Sequence, residues 1–277
     1  MKVFLRPVLP MIFMILPISL GVFIMYYNNI PSRIWVLNIA IFLISSMLSF
    51  IFLQRIKVPK PNSYVTIAVC IILLLLTFAD SGLSGVHRWL SIGPINVHIS
   101  SMVLPILLIE LGKNLSFQNW WPTALLILGV TIVLSFQPDA STTIAFTFAS
   151  FIILFKFITK TIQYLVLCIP LIISILTWVH LDNLPPVPYV EEILQMAKNI
   201  GQIPFIVGVL SLVLMPLPFF IFTSKTYKPI FISLGVYFSL IILSTLFGNF
   251  PVPLLGYGIS PIIGYSIAIT WLVKNYD

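Results

Sequence analysis

His87, Arg88 and Trp89 stand together in a stretch from Asp80 to His98, where Gly82, Gly85, Gly93 and Pro94 prevent a continuous helix. A guanidinium presents a planar fork matched to phosphate or carboxylate oxygens, and an indole beside it can lie on a sugar face or at the level of lipid headgroups. The same pair also serves as a membrane-interface anchor, so residue type alone leaves ligand recognition and anchoring both open. Acids able to take a proton are few. Asp182, Glu191 and Glu192 share one polar segment with His180. Pro185, Pro186 and Pro188 make that segment an extended connector, and Glu191-Glu192 with Lys198 equally suits the solvated face of a short helix. Asp139 follows Gln137-Pro138 at a helix junction, where a carboxylate either caps the helix or does acid–base work. Glu110 lies three residues before Lys113, the spacing of a local ion pair. Cys70 and Cys168 sit inside apolar runs and read as small core residues with no disulfide or metal signal, and the methionines and phenylalanines read as packing, so no cofactor or metal is expected.

The elements that must position these residues follow from composition. Of 277 residues, 60% are hydrophobic and 8% charged, and mean hydropathy is +1.13. That is too little polar surface to cover a soluble fold, so the chain is expected to be a polytopic membrane protein. Apolar segments fall near 7–27, 33–53, 62–79, 97–112, 119–136, 141–158, 161–179, 200–222, 229–247 and 254–273. The resulting expectation is an all-α transmembrane bundle of about ten spans forming a single domain over 1–277, with both termini cytoplasmic. No small-residue cleavage site follows Lys2 and Arg6, so the first helix is read as retained.

Charge sets the expected orientation. With the N-terminus inside, inner ends and loops carry Lys2, Arg6, Arg55, Lys57, Lys60, Lys113, Lys156, Lys160, Lys225, Lys228 and Lys274, and outer ones carry Arg33, Arg88 and Lys198. Asp80, Asp139, Asp182, Glu191 and Glu192 then fall outside. The net charge of +7 therefore has its source in membrane topology, and nucleic acid is not expected as a partner.

Three runs carry a resemblance. Gly85-Val86-His87-Arg88-Trp89-Leu90-Ser91-Ile92-Gly93-Pro94 followed by Val97-His98-Ile99-Ser100 resembles the external-loop signature of the SEDS family, the shape, elongation, division and sporulation proteins. Gln137-Pro138-Asp139-Ala140-Ser141-Thr142 is similar to that family's Gln-Pro-Asp-Leu-Gly-Thr run, and Pro251-Val252-Pro253-Leu254-Leu255-Gly256-Tyr257-Gly258-Ile259-Ser260 to its Pro-Leu-Pro-Phe-Ile-Ser-Tyr-Gly-Gly-Ser run. The resemblance implies a bacterial plasma-membrane protein of cell-wall synthesis, in cell division or cell shape, that handles lipid II or a related undecaprenyl-linked sugar at the outer leaflet. A single-span transpeptidase is the implied protein partner. His87, Arg88, Trp89, Gln137 and Tyr257 become the implied substrate contacts. Catalytic members polymerise lipid II with an external Asp as proposed base, and there this chain departs: Pro204 stands where the Asp would, Leu104 where a Lys would, and Ser211-Leu212-Val213 where an acidic pair would.

The reading that results is a SEDS-like membrane protein that acts through lipid-substrate binding, with polymerase activity in doubt. Two alternatives stay open. One is an active glycosyltransferase whose acid has moved to Asp182, Glu191, Glu192 or Asp139; the other is a lipid flippase or transporter. The near absence of ionisable residues from the apolar segments counts against the last.

Overall fold

Residues 8–55, 62–83, 85–93, 95–115, 118–181 and 184–276 are described by the computed structural model. Asp182 lies outside them. Several helices start where the local chemistry favours it. Pro10 lies in the first turn of α1 (Leu9–Tyr27), where its missing N–H is no loss. α2 spans Ser32–Arg55. The Asn62 side chain accepts from the Tyr64 N–H at 3.0 Å to open α3 (Ser63–Leu76), which ends in a 3₁₀ turn, Thr77–Ala79.

Within the Asp80–His98 stretch two antiparallel strands pair, β1 (Trp89–Ile92) and β2 (Ile95–His98), with Trp89 opposite His98 and Leu90 opposite Val97. Gly93 takes φ +59° at the turn, a conformation that glycine adopts without steric cost. Beyond it follow α4 (Ile99–Asn114), α5 (Trp120–Phe136), α6 (Ala140–Phe155) and α7 (Thr161–Val179). The chain closes with α8 (Ile193–Ile200), α9 (Gln202–Leu214), the short α10 (Leu217–Ile221), α11 (Lys228–Ser244) and α12 (Ile259–Asn275).

The centre is built from α4, α6, α11 and α12. α11 lies along α6, and α12 packs between α4 and α2. Phe146, Phe231, Leu234, Tyr265 and Leu107 are all fully buried there. α2 and α7 flank this core and expose Leu43, Ile44, Met47, Ile172 and Ile175, as a surface bathed by acyl chains requires. Some hydroxyls inside the bundle bridge helices: Thr147 Oγ1 lies 2.8 Å from Ser174 Oγ, and Ser233 Oγ donates to the Ala149 carbonyl at 2.7 Å.

The expectation of about ten spans is corrected. Among the described residues four helices are long and apolar enough to cross a membrane: Leu9–Tyr27, Ser32–Gln54, Thr161–Val179 and Gln202–Ile221. Apolar helices such as Trp120–Phe136, Ala140–Phe155 and Lys228–Ser244 have 17 residues or fewer. At about 1.5 Å per residue they fall short of a hydrocarbon core about 30 Å thick. The apolar count had included residues that fold as strand and loop, such as Val97 and His98 in β2. The chain is thus an all-α, multi-span membrane protein carrying one small hairpin. Cys168 is also exposed, whereas Cys70 is buried; Cys168 lies on the outward side of α7.

Helix α12 approaches α4 through Gly264, where an added Cβ would meet the Ser101 carbonyl oxygen at 2.0 Å. Gly264→Val should therefore force the two helices apart at a cost of about 1–3 kcal/mol, read as a lower midpoint of thermal unfolding in detergent; an unchanged midpoint would refute the close approach.

Candidate functional site

Helices α4, α6 and α12 all begin at one end of the bundle. His98 precedes α4, Asp139 precedes α6 and Gly258 precedes α12. Side chains join these three starts. His98 Nε2 lies 3.2 Å from Asp139 Oδ2, and the His98 backbone N–H donates to Ser260 Oγ at 2.8 Å. Asp139 Oδ1 accepts from the Thr142 N–H at 3.3 Å, capping α6, and Oδ2 accepts from Ser100 Oγ at 3.0 Å. The imidazole closes the network through Nδ1, 2.7 Å from Ser101 Oγ.

Asp139 is buried. Burial alone would push its carboxyl up, but the charge and hydrogen bond of His98, the charge of Arg88 and the Thr142 hydrogen bond together hold it well below the usual carboxylate range. Arg88 is buried too. Its Nε donates to the Gln137 carbonyl at 3.3 Å and its Nη2 to the Pro138 carbonyl. The guanidinium therefore clamps the hairpin onto the turn that carries Asp139.

The other residues singled out from the sequence separate into distinct roles. Trp89 packs edge-on against His98, with ring centroids 6.1 Å apart, and stays partly exposed. His87 turns back onto Phe78 at 5.8 Å. Gln137 is fully buried, and its Nε2 donates to Thr77 Oγ1 at 2.8 Å and to the Leu74 carbonyl at 3.0 Å, tying the end of α3 to the same turn. Tyr257 is fastened through its backbone N–H to the Tyr189 carbonyl at 2.8 Å. Glu191 Oε2 accepts from the Val187 N–H at 2.7 Å; partial burial raises its carboxyl, opposed by that hydrogen bond and by Arg88. Glu192 is exposed beside it. Leu104, at the position where the resemblance implies a lysine, is fully buried, and Pro204 lies within α9. Glu110 pairs with Lys113 at 2.8 Å.

Several positioning residues escaped the sequence reading. Asn38 of α2, fully buried, donates through Nδ2 to the Gly256 carbonyl at 3.2 Å and accepts from the Gly258 N–H at 3.3 Å. Its signal was visible as an amide inside the apolar run of the helix. Ser100, Ser101, Ser260 and Tyr237 gave no such signal. Asp80 draws the Ser91 N–H to 2.8 Å and the Gly82 N–H to 3.2 Å, and these donors hold its carboxyl below the usual range. A cavity of about 30 Å³, room for about two waters, opens among His98, Ser101, Asp139, Tyr237, Pro251 and Pro261. Among the described residues no cluster of His, Cys, Asp and Glu is arranged to hold a metal ion.

Fold and site together define a multi-span helical membrane protein whose polar groups gather where three helices begin. Among solved structures, the crystal structure of the Thermus thermophilus rod shape determining protein RodA matches it with a TM-score of 0.69, over 98% of this chain and 97% of that one, at 14% identity. At that identity the likeness establishes the fold. No protein-family model and no curated protein matches the sequence.

The stability contributed by ionised Asp139 is fully present above the ordinary Asp pKa, near 4; below it the unfolded chain takes up a proton that the folded one refuses. That stability is lost as pH falls through the lowered folded value. Asp139→Asn should lower the melting midpoint at pH 7 and flatten its decline below about pH 4; a variant with the wild-type acid profile would show that the carboxylate is not held ionised.

Proposed function

We propose that the chain is a SEDS-like protein of the bacterial envelope that binds a lipid-linked saccharide of the lipid II type at the outer leaflet and acts through that binding rather than by polymerising it. The observation that carries this reading is the convergence of the α4, α6 and α12 N-termini beside the Arg88 clamp. Helix N-termini concentrate partial positive charge and free N–H groups, the chemistry that holds a pyrophosphate. Trp89, partly exposed at the rim, supplies a face for a sugar ring. Beside the bundle core, a groove of about 460 Å³ between α2, α4 and α12, walled by Ile106, Ile109 and Ile263, suits a prenyl chain.

Charge supports the outward orientation. Lys113 and Lys274 lie at the far ends of α4 and α12, and Lys156 directly follows α6, so these cations gather opposite the site. A cationic end faces the cytoplasm, which turns the site outward. The binding reading draws on the chemistry of the rim: Asp139 is already engaged by His98, Ser100 and Thr142, while Pro204 and Leu104 offer neither base nor cation. The reading of an active glycosyltransferase draws on Glu191, a half-buried carboxyl with a raised pKa close enough to feel Arg88.

Proteoliposomes carrying the full chain decide between them. Fluorescent lipid II should bind without forming glycan polymer, and Trp89→Ala should weaken binding up to about tenfold with an unchanged melting midpoint. Glycan product that disappears in Glu191→Gln would favour the glycosyltransferase, and a cooperatively folded protein that fails to bind lipid II would sink both.

A further inference from the structure

Ser101 Oγ, the His98 ring and the Asp139 carboxylate form a continuous chain along the wall of the 30 Å³ cavity, with links of 2.7 Å and 3.2 Å. An ionised carboxylate only accepts, so the proton between Asp139 and His98 belongs to Nε2. In the neutral imidazole Nδ1 is then the acceptor for the Ser101 hydroxyl. The Ser100 hydroxyl is directed to Asp139 Oδ2 at 3.0 Å, and its 3.3 Å distance to Nδ1 leaves Ser101 the nearer donor. A hydroxyl, an imidazole that receives its proton and a buried carboxylate that orients the imidazole are the three parts of an activated serine nucleophile.

The surroundings complete the arrangement. Ser101 lies in the first turn of α4, where backbone N–H groups have no acceptor within the helix and are of the kind that stabilises developing negative charge. Tyr237, Phe238, Pro251 and Pro261 give the cavity apolar walls. Room for about two waters takes the methyl and carbonyl of an acetyl group and excludes a fatty chain.

We propose that Ser101, His98 and Asp139 are a nucleophile, base and orienting acid for acyl transfer from a small carboxylic ester. Ser101 Oγ attacks the ester carbonyl carbon as its proton passes to His98 Nδ1, giving a tetrahedral oxyanion. The carbonyl re-forms, the C–O bond to the alcohol breaks, and the departing oxygen takes the proton from Nδ1. Acyl-Ser101 remains, and water or another hydroxyl reverses the sequence through the same imidazole. This activity is independent of the lipid-saccharide reading.

The test uses the full chain in phospholipid vesicles, with a fluorophosphonate as serine probe and p-nitrophenyl acetate and palmitate as esters. Peptide mass spectrometry should place one phosphonyl adduct on Ser101. Ser101→Ala should abolish the adduct and acetate hydrolysis while keeping its melting midpoint and lipid II binding, and His98→Ala should slow labelling about 10²-fold or more. Ser135→Ala, whose hydroxyl bonds the Ile132 carbonyl within its own helix, should match wild type. Absence of an adduct on Ser101 in protein that melts cooperatively, equal losses in the Ser135 and Ser101 variants, or turnover of palmitate as fast as acetate would overturn the proposal.

Discussion

A carboxylate withdrawn from water costs several kcal/mol unless positive charge and hydrogen-bond donors replace its hydration. Asp139 is withdrawn in this way, and the architecture at its end of the bundle follows from the donors it needs. Thr142 supplies a backbone N–H because Asp139 stands at the start of α6. His98 and Ser100 supply side-chain donors because β2 runs directly into α4 at that level. The hairpin can deliver His98 because Arg88 fastens it to the Gln137 and Pro138 carbonyls, so that two buried groups of opposite charge hold the same turn from two sides.

The apolar bundle makes this arrangement possible without contributing polar atoms to it. α4 comes close to α12 at Gly264, next to Ser101, and Asn38 of α2 holds the Gly256–Gly258 backbone from which α12 starts. The 251–258 loop is held on its other side by the Val190 and Tyr189 carbonyls, which receive the Val252 and Tyr257 N–H groups. Segments remote in sequence thus meet at one end, joined by hydrogen bonds of backbone and side chain.

Legibility from the chain varied with the range of the interaction. The Asp139 cap and the Glu110–Lys113 pair span three residues each and could be read from spacing. The contacts of Arg88 could not: its guanidinium lies buried against two carbonyls some fifty residues away, a pairing that residue type and local spacing do not encode. Gln137 shows the same pattern, tied to Thr77 across sixty residues. Hydrophobic runs revealed a membrane protein, but run length overstated the number of spans, because apolar residues also fill strands, loops and helices of 17 residues or fewer.

By itself the sequence determined what depends on solvent and neighbouring residues: insertion into a membrane, the approximate positions of the helices, the breaks at glycine and proline, and the cap at Asp139. Those follow from transfer free energies and local hydrogen bonds, which need no knowledge of distant contacts. Only the tertiary structure decided that His98, Ser101, Asp139 and Tyr237 line one small cavity, with Ser260 bonded to the His98 backbone beside it. The reason is geometric. Serines, a histidine and a tyrosine scattered over 160 residues carry no periodicity, and their meeting is set by how three helix starts pack at one end of the bundle.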